Sequence, residues 1–410
     1  MKRLLLILLS ACLALSLAAC GKGEPTPPPE EDLTPVVEPE PIPETPPAPP
    51  EPTPEELAAQ RVDDLLSSLT LEEKVGQLFF VRCPADLAVE DVTAYHLGGY
   101  ILFGRDFKDA AGNWLTKEQV VETIAAYQAA AAADTGIPLF IGSDEEGGTV
   151  TRASRNPNLF DSTFKSPQWL WNNRHGQGSI FAEDAWEKSS ALLALGINVN
   201  LAPVADVATD PAAFIYDRTL GQDAAATADF VETTVTAMGE AGMGSVLKHF
   251  PGYGHNVDTH TGIALDERPI EAFTESDFLP FATGIAAGAD TLGRQRTAVL
   301  VSHNIVTCMD PELPASLSPE VHRVLREELH FDGVVMTDDL AMDAVEAYAE
   351  DGAVAVMAIA AGNDLIITGD YRAQIPKVLE TVNSGTLSEE VIDTACRRVL
   401  VWKQALALIA

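Results

Sequence analysis

Residues 138–146 read Pro138-Leu139-Phe140-Ile141-Gly142-Ser143-Asp144-Glu145-Glu146, a short apolar run that stops abruptly at three acids. A continuous apolar run of this length is a strand buried on both faces, and such strands belong to parallel sheets. Similar runs, bounded by Gly, Pro or Asp, recur at Val75–Val81, Gly99–Phe103, Val199–Val207, Ser245–Phe250, Ala298–His303, Gly333–Thr337 and Asp364–Thr368. Between most of them lie Ala-, Leu- and Glu-rich segments of helical period: Lys117–Ala133, Ala224–Glu240, Pro319–Leu329 and Ala344–Ala360. Thr70-Leu71-Glu72-Glu73 is a capping box that opens a helix, and Ser388-Glu389-Glu390 marks another helix start. Eight strand–helix repeats predict an α/β fold, a single (β/α)8 barrel, rather than an open doubly wound sheet. An open sheet of that kind usually carries a Gly-rich fingerprint after its first strand, and Gly76 and Gly98-Gly99 do not make one.

Barrels of this type place their chemistry at the C-terminal ends of the strands. The ionisable residues collect there: Asp144-Glu145-Glu146, Asp206, Lys248 and His249, His303, and Asp338-Asp339. One Asp at a strand end is often only a helix cap or turn residue. The same habit at successive strand ends points instead to a shared pocket.

The loop after the fifth strand is the densest stretch, Lys248-His249-Phe250-Pro251-Gly252-Tyr253-Gly254-His255-Asn256-Val257-Asp258-Thr259-His260. Its His and Asp residues are metal-ligand types, but no HxH or HExxH spacing arranges them on a fixed element. The other reading is an Asp258–His260 dyad, in which the carboxylate orients the imidazole as a general acid/base. Asp338, at the end of the apolar strand Val334-Val335-Met336-Thr337, would then be the nucleophile.

Outside the repeats, residues 1–19 form a cationic start, Lys2-Arg3, and a short apolar core, the layout of a secretory signal. The end of that core, Leu17-Ala18-Ala19-Cys20-Gly21, resembles a bacterial lipobox, which implies lipidation of Cys20 and a domain tethered to the cell membrane outside the cytoplasm. Residues 20–55 are expected to be a disordered Pro/Glu-rich linker, because residues 21–60 hold 14 Pro and ten acids against one Lys. The folded domain is expected at 56–410. The chain carries 26 Lys+Arg against 61 Asp+Glu, a formal net charge of −35. Residues 61–410 keep −28 of it, with 23 basic and 51 acidic residues, so the acidity is not confined to the linker. That balance argues against nucleic acid as a partner, since such binding needs cations on phosphates. Five scattered Cys, at 12, 20, 83, 308 and 396, exclude a disulfide scaffold, and Cys83, Cys308 and Cys396 are expected to be buried thiols.

Taken together, these residues resemble glycoside hydrolase family 3, in its β-N-acetylglucosaminidase (β-N-acetylhexosaminidase) branch. The resemblance is carried by Asp144-Glu145-Glu146-Gly147-Gly148-Thr149-Val150-Thr151-Arg152, Asn200–Val207, Arg218-Thr219-Leu220-Gly221, Lys248–Gly254 with Asp258-Thr259-His260, Pro314–Ser318 and Phe331–Leu340, in the family's order. It implies a retaining exo-acting glycosidase with Asp338 as nucleophile and His260 as acid/base, oriented by Asp258. It also implies that Asp144, Arg152, Arg218, Lys248 and His249 bind the hydroxyls and the acetamido sugar, with His303 a weaker carry-over. The substrate would be an amino-sugar glycan such as peptidoglycan-derived chains; no cofactor or metal is called for, and a monomer is expected. The β-glucosidase branch takes its acid from a second domain, which is not expected here, and that favours the branch with the His dyad.

The sequence departs from the family pattern at four places. Tyr253 stands for a usual His, His255 for an Asp, Glu145 for a Gln and Thr149 for an Arg. The added charge of Glu145 is expected to alter the sugar pocket. Trp169 and Trp171 fall in a stretch without a family match, where core packing is expected over sugar stacking. Two rival functions stay open: a phosphorylase, since a His acid/base would not repel phosphate, and a non-catalytic sugar-binding lipoprotein.

Overall fold

Three reciprocal capping boxes open helices, two of them ahead of the first strand and one ahead of the third. Thr53, Thr70 and Thr116 each accept from the N–H three residues on, while Glu56, Glu73 and Gln119 return the bond. The computed structural model describes residues 52–410 apart from 175–178, 255, 257–261, 263 and 349–352. Cys20, Asp258 and His260, together with the signal and most of the linker, lie outside the described residues. Pro54 and Glu55, read above as the end of the linker, are the first turn of the helix Pro54–Ser68.

The strands in chain order are β1 (Phe80–Arg82), β2 (Gly99–Leu102), β3 (Phe140–Ser143), β4 (Val199–Asn200), β5 (Gly244–Phe250), β6 (Leu265–Asp266), β7 (Thr297–Val301), β8 (Ile305–Val306) and β9 (Val335–Thr337). Seven of them form one parallel curled sheet in the order β1-β2-β3-β4-β5-β7-β9, and β6 pairs with β8. Residues 365 and 366 touch both edges of the large sheet through bridges Met336–Leu365 and Phe79–Ile366. Phe80 N donates to the Ile366 carbonyl at 3.0 Å, and Thr337 N to that of Leu365 at 3.1 Å.

Both faces of the seven-stranded sheet are largely apolar because both are covered. Phe80, Phe140, Ala298 and Leu300 point into an inner cluster, while their neighbours Val81, Ile141, Val299 and Val301 pack outward against the helices. Inside the curl, the Phe140 ring lies 4.5 Å from that of Trp402 on the C-terminal helix Glu389–Ala405. Gly142 sits there because a Cβ would fall 2.4 Å from the Phe80 ring. At the same end, buried Lys403 donates to Gln77 Oε1 and to the carbonyls of Gly98 and Pro138.

Several expected boundaries differ. Val75–Val81 is not one strand: Val75 to Gln77 finish the helix Leu71–Gln77 that the Thr70 box starts, and β1 begins only at Phe80. The run from Val199 forms a regular strand only over Val199–Asn200, and beyond Pro203 it pairs again through the single bridge Val204–Lys248. Pro319–Leu329 is a helical turn, Pro319–Arg323, that widens to π geometry over Val324–Glu328. Ala344–Ala360 is a 3₁₀ segment, Asp343–Tyr348, and a separate helix, Ala353–Ala361. Lys117–Ala133 is helical as expected. Cys83 and Cys396 are buried, whereas Cys308 is exposed on the turn after β8. Among the described residues, no helix is long and apolar enough to cross a membrane.

Candidate active site

The carboxyl ends of the parallel strands open into a cavity of about 440 Å³. It is lined by Asp144, Arg152, Arg218, Lys248, His249 and Asp338, six of the nine residues singled out from the sequence. Asp258, His260 and Cys20 are not among the described residues. Arg82, Phe103, Glu146, Phe214, Tyr253, Asp339 and Met342 also line it.

The polar floor is one connected network. Lys248 Nζ lies 2.8 Å from Asp144 Oδ1 and 2.7 Å from Glu146 Oε1. Arg218 grips Glu146 with two bonds, Nε to Oε2 at 3.0 Å and Nη2 to Oε1 at 2.7 Å, the fork geometry that suits a guanidinium and a carboxylate. Burial penalises the Glu146 carboxylate, but Arg218 and Lys248 overcome it and hold the group well below its ordinary range. Burial likewise opposes the Lys248 ammonium, and Asp144 and Glu146 more than reverse it, so its pKa is raised. Consecutive Lys248 and His249 both reach the cavity where the β5–β7 register shifts between Leu247 and Phe250.

Asp206, in the segment that follows β4, holds the imidazole of His249. Its Oδ2 is 2.7 Å from Nδ1 and accepts from the His249 backbone N–H, while Oδ1 accepts from Tyr253 N. Arg218 Nη2 faces Nε2 at 3.1 Å.

Asp338 sits at the end of β9, its N–H bonded to the Val301 carbonyl at 2.9 Å and its Oδ1 accepting from Asp339 N at 2.8 Å. Burial alone would raise its pKa. The imidazoles of His303 and His249, the Asp339 N–H and the Lys248 ammonium outweigh burial and hold it below the usual carboxylate value. Fully buried His303 lies against the backbone just beyond: Nε2 faces the Asp339 carbonyl at 3.0 Å and Nδ1 the Ser316 hydroxyl at 2.7 Å. Arg82 pairs with Asp339, and the Phe103 ring lies within cation–π range of both Arg82 and Arg152.

Glu145 corrects one expectation, because it does not line the cavity. Its carboxylate turns inward, Oε1 accepting from Arg152 N and Ser154 N and Oε2 from the Ser154 hydroxyl. Burial raises its pKa against those bonds. It is a clamp on the turn that delivers Arg152. Neither Trp169 nor Trp171 lines the cavity. Arg82, the last residue of β1, directly follows the apolar run ending at Val81, as Asp144 follows Ser143, so the strand-end rule applied to the first strand picks it out although the family motifs do not. Phe214 lies in an irregular turn that carries no periodic signal. Among the described residues, no group of three or more His, Cys, Asp or Glu side chains gathers as a metal site.

The glycosyl hydrolase family 3 N-terminal domain matches residues 70–401. The chain is 34% identical over 284 residues to a beta-hexosaminidase of Xylella fastidiosa (strain 9a5c), covering 66% of this chain and 76% of that protein. It is 36% identical over 255 residues to a beta-hexosaminidase of Stenotrophomonas maltophilia (strain R551-3), covering 60% and 69%. A family 3 beta-N-acetylglucosaminidase from Paenibacillus sp. FPU-7 superposes with a TM-score of 0.74 at 33% identity, over 84% of this chain and 64% of that one. A beta-N-acetylhexosaminidase from Beutenbergia cavernae does so with a TM-score of 0.71 at 30% identity, over 82% and 99%. On the sequence match, the shared fold and the strand-end pocket, the chain belongs to glycosyl hydrolase family 3.

Proposed function

We propose that this glycoside hydrolase is a retaining exo-β-N-acetylhexosaminidase that releases terminal β-linked N-acetylglucosamine from amino-sugar chains such as peptidoglycan fragments. The observation that carries the reading is Asp338, a carboxylate held in its ionised form in a cavity of about 440 Å³ beside Lys248 and His249. Asp338 attacks the anomeric carbon as the bond to the leaving oxygen breaks, and His260, oriented by Asp258, gives that oxygen a proton. The product is a covalent glycosyl-enzyme. His260 then takes a proton from water, whose oxygen attacks the anomeric carbon and displaces Asp338, so configuration is retained. Asp144, Arg152, Arg218, Lys248 and His249 bind the sugar's hydroxyls and acetamido group. A site built from buried polar groups rejects sugars that leave those groups unpaired. We read the curled sheet together with residues 364–368 as a complete (β/α)8 barrel.

The test is turnover of an aryl β-N-acetylglucosaminide, with trapping of the intermediate by a slow fluorinated analogue and peptide mass analysis. Asp338→Ala is expected to lose on the order of 10⁴-fold or more in kcat, and the trapped sugar is expected on the peptide containing Asp338. Near-normal turnover by Asp338→Ala rejects the assignment.

We also propose that Cys20 is lipidated and tethers the enzyme to the outside of the cell membrane through the Pro/Glu linker. Cys20→Ser is expected to release it from the membrane fraction; continued sedimentation with membranes contradicts the tether.

A further inference from the structure

Phe214 is 41% exposed, yet it lines the same cavity as Asp338. A half-exposed phenyl ring forgoes much of the stabilisation that burial would give it, so the way it is held matters. Its ring packs on Tyr253, centroids 5.7 Å apart and planes at 42°. Tyr253 is itself only 2% exposed and meets His249 edge-on at 5.6 Å. Beneath them Ala208, Ile215 and Tyr253 form a small buried cluster, with Ala213 and Tyr216 against it. The turn is pinned along its length: Ala213 N donates to the Asp210 carbonyl, Arg218 N to that of Ile215, and Gln168 Nε2 to that of Tyr216 at 2.7 Å. The same turn delivers Arg218 to Glu146.

The exposures order the cavity from floor to mouth. Lys248 and His249 are 3% and 4% exposed, and they belong to the charged network suited to hydroxyl and amide groups. Phe214, far more exposed than these, adds an apolar aromatic ring to the same lining. A pyranose carries both kinds of surface, with equatorial hydroxyls at its edge and C–H bonds on its faces. An aromatic ring fixed in advance binds a C–H face with little ordering cost.

We propose that Phe214, backed by Tyr253, is the platform on which the leaving-group sugar of a β-linked disaccharide stacks, so that this residue sets the preference for a sugar over a small alcohol as leaving group. The proposal rests on the hydrolase reading above. Its test compares, in the full-length protein, kcat/KM for the β-1,4-linked disaccharide of N-acetylglucosamine with that for methyl β-N-acetylglucosaminide. Phe214→Ala is expected to lower the disaccharide-to-methyl ratio about tenfold, chiefly through KM. Phe214→Trp is expected to restore the ratio, and equal melting temperatures exclude a folding defect. If both substrates fall together in Phe214→Ala, or neither changes, the platform is wrong while the hydrolase reading stands. If the wild type cleaves neither glycoside, the hydrolase reading fails and the platform fails with it.

Discussion

Lys248 Nζ lies 2.7 Å from Glu146 Oε1, and both side chains are withdrawn almost wholly from solvent. Each also has another partner, Asp144 for the lysine and Arg218 for the glutamate. The pair is thus the hinge of a four-residue network that joins the ends of β3 and β5 to the turn carrying Arg218.

Removing one member leaves the buried four-residue network with an unbalanced charge. Lys248→Met and Glu146→Gln are each expected to destabilise the fold by about 3 kcal/mol, the scale for breaking a buried pair. The double variant is expected to lose less than the sum, with a coupling of about 1–2 kcal/mol. Urea unfolding of the four proteins measures this. Strict additivity means that the two groups do not act through each other.

His303 spans the Asp339 carbonyl and the Ser316 hydroxyl, which makes it a positioning residue for the adjacent nucleophile. His303→Ala is expected to lower kcat by about 10²-fold through misplacement of Asp338, with KM changing much less. His303 also helps to hold the Asp338 pKa down. Its loss therefore raises that pKa, and the acidic limb of the pH profile of kcat/KM moves to higher pH. A loss of kcat with the limb unmoved would leave His303 a packing residue.

These network residues were unevenly legible in the sequence, and the reason is physical. Asp144, Lys248, His249 and Asp338 stand at or near the carboxyl ends of apolar strands, and a continuous apolar run with both faces covered betrays its end by the ionisable residues there. Arg82 stands at the same kind of position, directly after the apolar run that ends at Val81, but it belongs to none of the family's motifs, so only the strand-end rule points to it. Arg218 sits on an irregular turn and was reached only through the family's motif. Which way a side chain turns is a tertiary fact. Glu145 and Glu146 are neighbours of identical type, yet one caps the 152–154 backbone and the other faces Arg218 and Lys248. The segment at 364–368 was legible as an apolar run, though it forms only the bridges Met336–Leu365 and Phe79–Ile366, whereas β6 and β8, two residues each, were too short to leave a pattern.

The stretch from Lys248 to Gly254 is anchored at its far side by Arg268, which bonds Asp266, Asp277 and the Gly252 carbonyl. Gly252 adopts φ +127°, and a Cβ there would meet Asp277 at 2.2 Å, so the carboxylate lies directly against the turn. Burial pushes the Asp277 carboxyl up to about 6, with Arg268 only partly offsetting it. The folded state therefore keeps this proton up to about pH 6, whereas the unfolded chain releases it near 3.8. The resulting stabilisation is complete below pH 3.8 and is lost as pH rises through about 6. Asp277→Asn cannot titrate, so wild-type stability measured relative to that variant is expected to fall between pH 4 and 6 by at most about 3 kcal/mol, then level off. Urea midpoints at pH 4, 5, 6 and 7 read the difference directly. Parallel curves across that window would show that Asp277 is ionised throughout, with Arg268 outweighing burial.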